Sequence, residues 1–194
     1  MNLVERAKKI LLQPKSEWAV IAAEPHTVQD LYTGYVMILA AIPAVAGFIG
    51  FSIVGVALGG VSYRVPITAG VAQLVLSYVL ALGMVYVLAL IIDALAPNFG
   101  GEKNFMQALK VSAFAPTASW LAGIFAIIPL LGIIGLLGGL YSLYLLYLGL
   151  PALMRVPEEK AVPYTVVVII VAIVLAIVVG ALAGMVVPSP MRGF

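Results

Sequence analysis

The stretch that decides the fold is Val111–Met154, VSAFAPTASWLAGIFAIIPLLGIIGLLGGLYSLYLLYLGLPALM, which separates Lys110 from Arg155 without one charged side chain. It is 44 residues long. As a single helix it would reach about 66 Å at ~1.5 Å per residue, roughly twice the ~30 Å hydrocarbon core of a bilayer. The stretch must therefore fold back on itself. Ile128-Pro129-Leu130-Leu131-Gly132 is the expected corner, because proline and glycine interrupt helical geometry. With no polar side chain, that corner is expected to sit sunk in the interface or covered by neighbouring helices. Two membrane helices follow, from about Phe105 to Ile128 and from about Gly132 to Met154.

Working outward, three more apolar runs read as spans, from about Leu31 to Gly59, Ala69 to Leu95 and Tyr164 to Val187. Composition agrees: 64% of the 194 residues are hydrophobic and 9% are charged, where a soluble domain has about 25% charged. With a mean hydropathy of +1.19, the chain lacks the polar side chains to cover a water-facing surface, which excludes a soluble monomer. Five spans also leave too little chain for a large catalytic domain outside the membrane. The fold class is all-α: a polytopic membrane protein of five transmembrane helices with an N-terminal amphipathic interfacial helix. Residues 1–30 form a cytoplasmic N-terminal segment, 31–187 the membrane domain and 188–194 a short extracytoplasmic tail.

Orientation follows from Lys and Arg. Arg6, Lys8, Lys9 and Lys15 precede the first span, Lys103 and Lys110 lie at the second-to-third connection, and Arg155 and Lys160 at the fourth-to-fifth. The other side has Arg64 and Arg192. The positive-inside rule puts the N-terminus in the cytoplasm and the C-terminus outside, in a cell membrane. The first 30 residues lack the short apolar core and small-residue cleavage site of a signal peptide.

Leu3, Val4, Ala7, Ile10 and Leu11 share a helical stripe, with Glu5, Arg6, Lys8 and Lys9 off it. This pattern suits a helix lying in the headgroup layer or against a partner. Pro14 ends it, and Ser16 is the expected cap of a second short helix carrying Trp18 and Ile21. Thr27-Val28-Gln29-Asp30 fits a capping box that opens the first span.

Gln13-Pro14-Lys15-Ser16-Glu17-Trp18, followed by Asp30-Leu31-Tyr32-Thr33-Gly34-Tyr35, resembles the Yip family of five-span membrane proteins. So do Ile128-Pro129-Leu130-Leu131-Gly132, Tyr141 through Met154, and Pro157-Glu158-Glu159-Lys160-Ala161. The resemblance runs from about residue 10 to 187. It implies a cytoplasmic N-terminus and five spans and, in eukaryotic members, interaction with Rab GTPases and vesicle-membrane proteins. Thr33-Gly34 stands where those members carry Gly-Pro, and the short N-terminal region is more like the prokaryotic members. Trp18, Asp30, Tyr32 and Gly34 are the interaction candidates that the resemblance marks.

Within the spans, Asp93 and Lys110 lie about one turn below the same surface on neighbouring antiparallel helices. They suit a structural ion pair, an ion or ligand site, or side chains snorkelling to water. Tyr141, Tyr144 and Tyr147 recur every three residues and suggest one stripe, packed on neighbours or lining a polar groove. Gly55 with Gly59, Gly135 with Gly139, and Gly180 with Gly184 have the small-xxx-small spacing of packed membrane helices. The last pair is the best candidate for a homo-oligomer contact. Pro43 and Pro116 are expected to kink the first and third helices.

The chemistry is mostly negative. There is no cysteine and one histidine, His26, so thiolate chemistry and a His-cluster metal site are excluded, and no cofactor is expected. His26 reads as a solvated turn residue, and Glu102, Glu158 and Glu159 as solvated loop acids. A net charge of +2 without a basic face excludes nucleic acid. No catalytic string such as HExxH or GxSxG occurs. The expectation is a non-catalytic membrane-organising or protein-interaction component whose partners are the bilayer, membrane or peripheral proteins, or copies of itself. The alternative is a small transporter, channel or lipid-moving protein using Asp93 and Lys110.

Overall fold

The computed structural model describes residues 2–58 and 61–184. Two short helices come first, α1 (Leu3–Leu12) and α2 (Pro14–Ala23). Five helices long and apolar enough to cross a membrane follow: Val28–Val54, Ile67–Phe99, Phe105–Ile127, Gly132–Met154 and Glu158–Leu182. They are called the first to fifth spans below. The capping box forms as expected, with Thr27 N–H donating to Asp30 Oδ2 at 3.0 Å and Asp30 N–H to Thr27 Oγ1 at 3.1 Å.

Three boundaries differ from the sequence reading. The first span ends at Val54, and the apolar residues after it pair as a two-stranded antiparallel hairpin, β1 (Val56–Leu58) with β2 (Val61–Tyr63). Gly55 makes the exit at φ +83°, a left-handed conformation that a side chain would strain. The fifth helix begins at Glu158 rather than near Tyr164, and Pro163 lies inside it. Finally, α2 starts at Pro14 with Gln13 as its flanking residue, and Ser16 instead donates its hydroxyl to the Gln13 carbonyl at 3.1 Å.

Proline shapes the spans. Pro116 breaks the third span into Phe105–Phe114 and Thr117–Ala122. Thr117 bridges the break, its hydroxyl donating to the Phe114 carbonyl at 2.6 Å while lying 2.8 Å from the Tyr35 hydroxyl. Pro43 sits in the first span against Gly123, where any Cβ would come within 2.6 Å of the proline ring. The corner after Ile128 forms, as a 3₁₀ turn over Pro129–Leu131. It is neither covered nor inward-facing, since Leu130 is 87% exposed.

The packed core lies towards the α1–α2 end. Trp18, Tyr35, Phe114, Leu145, Leu150 and Tyr164 are all fully buried in one cluster. The outer faces carry exposed Val75, Val79, Ile133, Leu136, Ile173 and Ile177, the arrangement hydrocarbon solvent favours and water does not.

Candidate functional site

α1 and α2 form a helical hairpin across one end of the bundle, and its attachments can be followed atom by atom. Asn2 opens α1, its Oδ1 accepting from Glu5 N–H at 3.1 Å. At the other end of α1, the Tyr141 hydroxyl donates to the Leu11 carbonyl at 2.6 Å. The last carbonyls of α2 lack partners within their own helix and carry its negative dipole end. Lys110 of the third span meets them. Its Nζ donates to the carbonyls of Ile21 at 2.9 Å, Ala22 at 3.3 Å and Glu24 at 2.6 Å. Gln107, one turn earlier, adds a bond from Nε2 to Ala22 at 3.0 Å. An ammonium has three N–H groups, and here each has a carbonyl within reach.

Inside the hairpin, the buried Arg6 donates Nη1 to Glu17 and Nη2 to Glu24, with its guanidinium carbon 5.9 Å from the centre of the Phe114 ring. Burying a charge is tolerable only when it is paired. Glu24 also lies 3.2 Å from His26 Nε2. The hydrogen bond from Arg6 holds the Glu24 carboxyl below the usual carboxylate range, against the opposing effect of burial. His26 is therefore not a solvated turn residue: its side chain is 9% exposed and lies beside Glu24 and Phe114.

Trp18 is the apolar anchor. It is 1% exposed and packs on Gly149 of the fourth span, where a Cβ would stand 2.7 Å from the indole. The apolar stripe of α1 thus covers the protein's own core through Ala7 and Ile10, leaving Val4 and Leu12 exposed.

Asp93 and Lys110 do not form an ion pair. The carbonyl end of α2 takes every Lys110 donor, while Asp93 is buried with Oδ1 unpartnered beside the Tyr164 hydroxyl's bond to Ile92 O at 2.7 Å. The charge count along the chain showed neither α2 nor its carbonyls as a competitor. The tyrosine stripe also splits. A step of three residues turns the helix by about 300°, so the side chains drift by about 60° each time. Tyr141 is half-buried against α1, whereas Tyr144 and Tyr147 are exposed. Tyr32 reaches the second span, donating to the Leu82 carbonyl at 2.9 Å. Asp30 is exposed, and Gly34 has nothing near the position of a Cβ.

The chain matches the Yip1 domain family over residues 8–180. It belongs to the Yip1 domain family. Among curated relatives, the inner membrane protein YohC of Escherichia coli (strain K12) is 29% identical over 156 residues, 78% of this chain and 80% of YohC. YohC of Escherichia coli O6:H1 gives the same figures. No solved structure matches significantly. This Yip1 domain chain is accordingly a multi-pass membrane protein, with its family region reaching back into α1.

The expected packing glycines of this Yip1 domain are corrected in part. Gly135, Gly139 and Gly180 have nothing within 4 Å of the place a Cβ would take, so they do not draw helices together within the chain. Gly59 lies outside the described residues, and Gly184 only ends the fifth helix. Close approaches occur at other glycines, among them Gly50, Gly70, Gly123, Gly138 and Gly149; a Cβ at Gly138 would stand 2.4 Å from that of Ala122. Gly138 sits inside the Gly-Leu-Leu-Gly-Gly string, one position from the residue that the spacing rule selected. Spacing identifies small residues but not the direction they face.

Proposed function

We propose that this Yip1 domain protein is a non-catalytic membrane component that organises or recruits other proteins through its N-terminal end. The N-terminus and the second-to-third and fourth-to-fifth connections lie in the cytoplasm and the C-terminus outside. The observation that carries the reading is the fixed α1–α2 hairpin: its inner face is anchored at Trp18, Arg6 and Lys110, and its outer face exposes Val4 and Leu12 beside Lys8 and Lys15. Val4 is 72% and Leu12 68% exposed. Apolar side chains grouped with basic ones suit a protein partner or an anionic headgroup layer. Asp93 with its unpartnered oxygen is the one support for a transport role, and Lys110, the other half of that path, is engaged elsewhere.

The test is site-specific photo-crosslinking in native membranes, with the probe at Leu12 and, as a control, at Ile177 on the exposed face of the fifth span. The expected result is discrete protein adducts at Leu12 and none shared with Ile177. Identical adduct patterns, together with solute flux in liposomes that Asp93→Asn abolishes, would refute the reading. A topology reporter at Phe194 is expected to be extracytoplasmic.

A further inference from the structure

The second, third, fourth and fifth spans together line a cavity of about 180 Å³. Leu88, Pro116, Trp120, Ser142, Leu146 and Ala172 are among its walls, each near the middle of its span. It sits where Pro116 breaks the third span into two helical pieces, and interrupted helices near the midplane are a recurrent setting for binding sites in membrane proteins. An engineered protein cavity of about 150 Å³ holds one benzene ring, so this one admits a single substituted ring.

The chemistry of the walls narrows the occupant. Among the described residues no charged side chain lines the cavity, so an ion would lose its solvation there without a counter-charge. Three side chains with polar atoms do line it. Ser112 is satisfied, its hydroxyl donating to the Ala108 carbonyl at 3.1 Å. Ser142 accepts from the Ser119 N–H at 3.0 Å, and its own O–H donates to nothing among the described residues. Trp120 is 8% exposed, and its indole N–H also lacks an acceptor among the described residues. Unlike the indole nitrogen of Trp18, that of Trp120 is not sealed off. An indole nitrogen only donates. The wall is thus left with two unused donors in an apolar setting, and the complementary ligand is an apolar body bearing an acceptor oxygen. A lipid acyl tail would fill the space but leave both donors without partners.

We propose that this cavity binds a neutral ring compound with a carbonyl oxygen, the chemistry of a quinone head, to which the Trp120 N–H and the Ser142 O–H donate. The site lies within the spans, apart from the α1–α2 hairpin on which the recruiting role rests, so either can fail without the other.

The test compares duroquinone with durene, the same tetramethyl ring without oxygen. Each is dialysed to equilibrium against the full chain in nanodiscs, and uptake by empty nanodiscs is subtracted. Duroquinone should bind saturably and about fivefold more tightly than durene, the net worth of one hydrogen bond. Trp120→Phe keeps an aromatic ring and removes the donor. It should weaken duroquinone about fivefold and leave durene unchanged, which also shows the cavity intact. Ala172→Leu, filling the space from the fifth span, should abolish saturable binding of both. Should Trp120→Phe fail to fold, the parent's preference between the two ligands still decides. Equal affinity for both would overturn the proposal in favour of a space that hydrocarbon fills by shape alone. Absence of saturable uptake, a duroquinone preference that survives Trp120→Phe, or binding that survives Ala172→Leu would overturn it as well.

Discussion

The two ends of this molecule are built on different principles. At the α1–α2 end, Trp18, Phe114, Leu150 and Tyr164 are sealed in one core and Arg6, Lys110 and Glu17 are buried with named partners. Towards the opposite end the helices are held mainly by backbone approach, as at Gly123 on Pro43 and Gly138 on Ala122, while Leu130 and Ile133 stay exposed. Membrane helices gain little by hiding leucine from lipid. Specificity here comes from polar groups and one tryptophan, concentrated where the chain leaves hydrocarbon.

The largest effect is expected at Trp18, the anchor of the hairpin. Trp18→Ala should cost about 3–5 kcal/mol of local stability, the range for emptying an aromatic site, and free the hairpin to trypsin at Lys8, Lys9 and Lys15. Digestion no faster than in the parent would show that α2 is held without its anchor. Next comes a matched pair on one helix. Gly149→Leu overpacks the indole seat and should cost at least about 1–3 kcal/mol, whereas Gly139→Leu enters open space and should leave proteolysis unchanged. Equal effects would remove the distinction between seat and lipid-facing surface.

Lys110→Met should cost about 1–3 kcal/mol by uncapping α2. Because Asp93 is not its partner, combining it with Asp93→Asn should be additive within about 0.5 kcal/mol. A larger coupling energy would restore the ion pair. Acid provides a gentler probe. Glu24 is held below the usual carboxylate value of 4.5, so its contribution to docking is present above that pH and fades as pH falls through the lowered value. Trp18 emission in a Trp120→Phe background should therefore be flat from neutral pH down to about 5 and shift to the red only below about 4.5. The smallest effect is expected from Arg155→Ala. Its 3.0 Å bridge to Glu102 is exposed on both sides and should be worth under about 1 kcal/mol.

Much of the architecture was legible because hydrocarbon imposes a one-dimensional rule. The fourth span, Gly132–Met154, was readable at both ends, and the Pro116 break and the Thr27 capping box follow from local chemistry. The first span was read too long because Val56–Leu58 are as apolar as a helix, and only pairing with Val61–Tyr63 makes them a strand. The site was less legible. Trp18 and Lys110 stood out individually, but what each touches lies far away along the chain, at Gly149 and Ala22 respectively. No periodicity reports a carbonyl as the partner of a lysine. Arg6 reads as the polar side of α1 and His26 as a solvated turn residue, and only the packing of the hairpin onto the bundle buries both.

The seat for Trp18 also sets an order of events during synthesis. The tryptophan is made long before Gly149, which receives it, and at ~5–20 residues per second the interval is on the order of ten seconds. Through that interval the nascent chain must carry an uncovered indole at the water–lipid boundary. A segment made before the spans is thus among the last to reach its native place, and closure of the hairpin reports that the fourth helix has been inserted.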